Sequence, residues 1–78
     1  MVTTFTVQCF QLKGRKLVAD PPKTARTGEA ALELAERLAG VKAGVVAFSQ
    51  AIDVETDTYD EPQVLCRFGS LPEGLFAD

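Results

Sequence analysis

The chain has 78 residues, enough for one small domain. Its hydrophobic share of 46% includes ten alanines, which leaves about 26 larger apolar side chains to build a core. The longest near-apolar run, Ala43 to Phe48, is far short of the roughly 18 residues a membrane helix needs, and neither a coiled coil nor a buried multi-domain active site fits this length. The net charge is −3, but it is unevenly laid out. Residues 1–27 carry five cations (Lys13, Arg15, Lys16, Lys23 and Arg26) against Asp20, whereas residues 51–78 carry Arg67 against seven acids. A basic end and an acidic end follow, and the overall acidity argues against bulk attachment to nucleic acid.

In chain order, residues 3–12 alternate: Phe5, Val7 and Cys9 on one side, Thr4, Thr6, Gln8 and Phe10 on the other. That period of two predicts a half-buried strand. Lys13-Gly14 offers a tight turn, and Arg15–Ala19 continues as a second strand with Leu17 and Ala19 inward. Asp20-Pro21-Pro22 ends it, because proline cannot donate to a ladder. Residues 20–27 then read as a stiff polar crossover without a PxxP motif.

The helix is the clearest element. Thr27 serves as N-cap, Glu29 places a carboxylate in the first turn, and Ala31, Leu34, Ala35 and Leu38 recur on one face. Gly40 stands where a left-handed C-cap is expected. Ala43–Ile52 reads as a third strand with Val46, Phe48 and Ile52 inward, residues 53–62 as a polar loop, and Gln63–Phe68 as a fourth strand with Val64, Cys66 and Phe68 inward. Residues 70–78 form a short tail whose Leu71, Leu75 and Phe76 can fold back on the core.

The expected fold is a single α+β domain over residues 1–78. Two β-hairpins flank one amphipathic helix in the order β-β-α-β-β, and the helix covers one face of a four-stranded sheet. A right-handed crossover allows the strand order 2-1-4-3, which places Cys9 and Cys66 on adjacent strands. The uncovered face carries Phe10, Val18, Val45 and Leu65 among polar residues, an apolar surplus that points to a partner.

No motif for chemistry emerges. Histidine is absent, which removes the commonest general base and metal ligand. Ser49 and Ser70 lack a recognisable base, and the two cysteines, 57 positions apart, match neither a redox nor a metal spacing. The glycines form no phosphate loop. The acidic stretch Asp53–Glu61 superficially resembles a calcium loop, but Thr58 and Val64 stand where glycine and a bidentate glutamate belong. We therefore expect no catalytic residue, no cofactor and no metal site.

The residues singled out for partner binding are Phe10, Lys13, Arg15, Lys16, Val18, Leu65 and Arg67. The expected function is a non-catalytic protein-interaction module, including a homodimer through the uncovered sheet face, from which Phe10→Glu would release a folded monomer. The alternative is a nucleic-acid accessory protein that grips phosphates with the basic hairpin and stacks a base on Phe10, although the aromatic strand motif of the RRM is missing. No membrane partner and no small-molecule substrate are expected. Met1-Val2-Thr3-Thr4-Phe5 has no signal-peptide character, so the expected compartment is the cytoplasm, where thiols stay reduced.

The runs Gly14–Ala19, Thr27–Leu38 and Asp57-x-Tyr59-Asp60-Glu61-Pro62 make the chain similar to short uncharacterised bacterial proteins with a β-β-α-β-β plan, most of all small hypothetical proteins of proteobacteria. That resemblance implies a bacterial cytoplasmic origin and brings no site residue, ligand or cofactor.

Overall fold

The first strand, β1, runs over Val2–Lys13 and anchors the sheet. It turns at Gly14-Arg15 into β2, Lys16–Ala19, with Gly14 at a φ of 65° where a two-residue hairpin needs positive φ. A short third strand, β3 (Lys23–Ala25), precedes the helix α1 (Gly28–Ala39). The strands β4 (Gly44–Asp53), β5 (Thr58–Tyr59) and β6 (Gln63–Gly69) follow. The structure is a computed structural model and describes residues 2–71. The tail side chains Leu75 and Phe76 therefore lie outside the described residues.

All pairings are antiparallel. β1 and β4 form the centre, paired from Val2↔Ile52 to Phe10↔Gly44. β2 and β3 share the outer side of β1, while β5 and β6 share the outer side of β4. The described sheet thus has six strands instead of the expected four, because each outer position is filled by two short strands. On the β1 side the divider is Asp20-Pro21-Pro22. Phe10 pairs with Ala19 and Val7 with Lys23, so two residues of β1 face three on the edge. The extra residue is a bulge, and it shifts the parity of everything after it.

The order 2-1-4-3 is overturned. The third long strand, β4, lies beside β1, and β6 lies beyond it. Cys9 is opposite Val45 and Cys66 opposite Ala47, so β4 stands between the two thiols. Two strand spacings, roughly 10 Å, exceed the Cα separation a disulfide can span. Both cysteines are free.

The helix forms as its sequence suggests. The Thr27 Oγ1 accepts from the Ala30 N–H at 3.0 Å, a cap of about 1 kcal/mol. Ala31 and Ala35 are fully buried and meet Val7, Cys9, Val45 and Ala47 of the sheet. Leu34, Leu38, Phe5, Cys66 and Phe68 close the edges of this core. Gly40 departs from expectation: at φ −76° it is right-handed, and the N–H groups of Val41 and Lys42 both donate to the Leu38 carbonyl.

Several faces are exchanged relative to expectation. Residues directly opposite on antiparallel strands point to the same side. Val45 and Ala47 pair with Cys9 and Val7, so they face the helix, and Val46, Phe48 and Ile52 face away. Small side chains lie under Ala31 and Ala35, where a Phe48 ring would hold the helix off the sheet. Leu17 and Ala19 pair with Leu12 and Phe10, so they also face away. Val64 pairs with Phe48 across a register shift in β6 and joins the same open face.

Candidate functional site

The open face of the sheet is built from alternate residues. β1 contributes Thr4, Thr6 and Gln8, and β4 contributes Val46, Phe48, Gln50 and Ile52 opposite them. The flanks add Thr24 from β3, Tyr59 from β5, and Val64 and Arg67 from β6. Among the paired positions on this side, Arg67 is the one formal charge. The helix side, by contrast, carries Lys13, Lys16, Lys23 and Asp53 at its paired positions. A surface that mixes aromatic, β-branched and amide side chains with one arginine has the makeup of an interface core, where charge is depleted and Arg and aromatics are enriched.

One end of this face is already covered. Gly44 and Gly69 pair across β4 and β6, and Gly69 turns at φ 71°. The chain then crosses Gly44 closely enough that a Cβ there would lie 1.8 Å from the Ser70 carbonyl oxygen and 3.1 Å from Leu71 Cδ2. At the same end Phe10 and Val46 are buried. Toward the other end Thr4, Thr6, Phe48, Gln50, Ile52 and Val64 are half-buried and Tyr59 is 60% exposed.

Two charged tips flank the sheet. Lys13, Arg15 and Lys16 are exposed at the β1–β2 turn. The acidic turn between β4 and β5 is shaped from within: Asp53 Oδ1 accepts from the Glu55 N–H at 3.1 Å, and Asp57 adopts φ 54°. The Asp53 carboxylate thus acts as a turn former. Among the described residues no three His, Cys, Asp or Glu side chains are grouped so as to hold a metal ion.

Asp20 is a structural node at the β2–β3 break. Its carboxylate accepts from Gln11 Nε2 at 2.8 and 3.0 Å and pairs with Lys42 Nζ at 3.0 Å. Its N–H donates to the Cys9 carbonyl, and its own carbonyl accepts from Gln8 Nε2. The Gln11 hydrogen bond and then Lys42 hold this carboxyl below the usual aspartate range. A shallow recess of about 410 Å³ lies beside it, bounded by Pro21, Pro22, Lys23 and Lys42. A second, of about 230 Å³, lies between Thr3, Ser49, Asp60 and Glu61. Burial raises both the Cys9 and the Cys66 thiol, which keeps them protonated at neutral pH and poor as nucleophiles.

The seven residues expected to bind a partner do not share one surface. Phe10 is on the open side but only 4% exposed, so Phe10→Glu would bury a carboxylate and could not leave the fold intact. Val18 pairs with Gln11 and faces the helix side. Leu65 also lies there, near Gly28 and the Phe5 ring, because the β6 register shift turns it over. Lys13, Arg15 and Lys16 sit at the hairpin tip, and Arg67 stands on the open face. The open-face apolar residues Val46, Phe48, Ile52 and Val64 were expected in the core, and Tyr59 in a loop. The available signal was size: alanines on the helix call for Ala47 beneath them, which sends Phe48 outward.

Among the described residues no helix is long and apolar enough to cross a membrane. Compared with known proteins, the chain finds no matching protein family, no matching curated protein and no matching solved structure.

Proposed function

We propose that this protein is a non-catalytic protein-interaction module of the cytoplasm, homodimeric through the open face of its sheet. The observation that carries the reading is the near-absence of charge on that face in a chain where charged residues make up 24% of the whole. Desolvating Thr, Gln, Val, Ile and aromatic side chains is far less costly than desolvating Lys or Glu. Nucleic acid takes second place, since Arg67 is the one cation at the paired positions of the open face and Lys13 and Lys16 of the hairpin pair on the helix side.

A lysine at Thr6 tests the reading. Thr6 pairs with Phe48 and Thr24 in the middle of the open face, and its long replacement can reach solvent without unfolding the sheet. Light scattering on a size-exclusion column should give the parent a mass above 8.4 kDa that falls on dilution, and Thr6→Lys should elute as a monomer with an unchanged circular dichroism spectrum. Equal association by parent and variant would refute the reading.

A further inference from the structure

We infer that the helix side of the sheet carries a binding site for a small molecule with several phosphate groups, set in the recess at the β2–β3 break and held by Lys13, Lys16, Lys23 and Lys42. The site lies on the side away from the open face and stands independently of the reading above.

The register gathers these lysines. Opposite residues of an antiparallel pair share a side, so Lys13 and Lys16 stand on the side of Gln11, and Lys23 stands on the side of Val7. Lys42 follows the end of α1 and reaches Asp20 on that same side at 3.0 Å. Lys13 and Lys42 both bear on the Asp20 carboxylate, and Lys23 and Lys42 on the Cys9 thiol, which sets the three around one corner. Lys16 joins them directly opposite Lys13.

Four cations, half of the chain's eight, thus surround one carboxylate. Asp20 is already engaged by Gln11 and Lys42, and among the described residues Lys13, Lys16 and Lys23 pair with no acid. The corner keeps a net charge of +3. The C-terminus of α1 opposes this with only about half an elementary charge. Like charges directly opposite on neighbouring strands repel, and an anion beside Lys13 and Lys16 relieves that cost. The recess between Pro21, Pro22, Lys23 and Lys42 holds about 410 Å³, room for a small molecule. Its lysines supply separate point charges, where a single carboxylate is better met by the planar fork of arginine. Lys13 lies roughly 20 Å along β1 from Val7, the residue opposite Lys23. Lysine stems reaching inward from both ends therefore span a chain of phosphates better than a single one.

Inorganic tripolyphosphate tests the site. Titrated into isotope-labelled protein at about 50 mM salt, it should shift the amide resonances of Gln11, Asp20, Lys23 and Lys42 along one saturable curve. Orthophosphate should bind about tenfold or more weakly, since it meets fewer of the lysines. The pairs Lys23→Gln with Lys42→Gln, and Lys13→Gln with Lys16→Gln, should each weaken tripolyphosphate binding about fivefold or more. Asp20→Asn should tighten it about threefold, because the competing carboxylate is gone and Lys42 is released. A damaged fold would not produce that gain. Shifts reproduced by sodium chloride at matched ionic strength, or unaltered by these substitutions, would overturn the site. Equal binding of orthophosphate and tripolyphosphate would overturn the need for several phosphates. A poly-glutamate peptide or a single-stranded RNA that binds these residues as tightly as tripolyphosphate would overturn the ligand class.

Discussion

Gly44 and Gly69 face each other where the last strand leaves the sheet, and neither tolerates a side chain. A Cβ on Gly69 would lie 2.2 Å from the Ala43 carbonyl oxygen, at a φ that L-residues rarely adopt. Gly40 is the internal control: its φ is helical and the nearest atom to an added Cβ is 3.8 Å away. Thermal or denaturant unfolding should show Gly44→Ala and Gly69→Ala destabilised by about 2 kcal/mol or more, and Gly40→Ala unchanged or stabilised by about 0.5 kcal/mol. Equal effects at the three sites would mean that the chain does not cross Gly44 as described. Asp20 gives a second prediction at this scale. Its carboxyl is held below the usual range by Gln11 and Lys42, so the folded protein binds this proton more weakly than the unfolded chain. The contribution is present above the ordinary aspartate pKa and is lost as pH falls through the depressed folded value. Asp20→Asn should therefore lower the melting midpoint at about pH 7, and the gap should close toward about pH 2. A gap that persists in acid would show that the carboxylate charge is not what the node uses.

The helix and the sheet differ in how plainly their sequences announce them. Thr27, Glu29 and the Ala31, Leu34, Ala35, Leu38 stripe specify α1 nearly to the residue, because cap, charge and period agree. β1 is equally legible, since polar and apolar residues alternate through Gln8. β4 is not: Val45, Val46, Ala47 and Phe48 are all apolar, so a period of two leaves no trace and only register against β1 assigns the faces. β3 and β5 were hidden by length, three and two residues beside prolines and an acidic turn. Two irregularities, the bulge at Asp20-Pro21-Pro22 and the register shift beside Leu65, each reverse parity downstream. The shift beside Leu65 puts Val64 on the open face, whereas Leu17 and Ala19 precede the bulge and take their side from the Gly14-Arg15 turn, which sets them opposite Leu12 and Phe10. The basic and acidic tips of the site could be read from composition, but the face between them could not. The close approach of α1 explains the arrangement and can be tested. Ala35→Leu should cost about 1–3 kcal/mol by wedging the helix off Val45 and Ala47, despite leucine's good helix propensity. A neutral or stabilising Ala35→Leu would contradict this packing.

At the scale of the whole molecule, a domain this small spends its sizeable side chains on both faces of one sheet. The helix covers Val7, Cys9, Val45 and Ala47, and the far side keeps Phe48, Ile52 and Val64 half-exposed beside threonines and glutamines. At its paired positions that far side carries a single formal charge, Arg67. Self-association through that side, as proposed, would cover these half-exposed side chains. The most direct test is an isotope-filtered nuclear Overhauser experiment on an equal mixture of labelled and unlabelled protein at high concentration. The account predicts intermolecular contacts among Thr4, Thr6, Phe48, Ile52 and Val64. Intermolecular contacts confined to the helix side, or none at all, would contradict it.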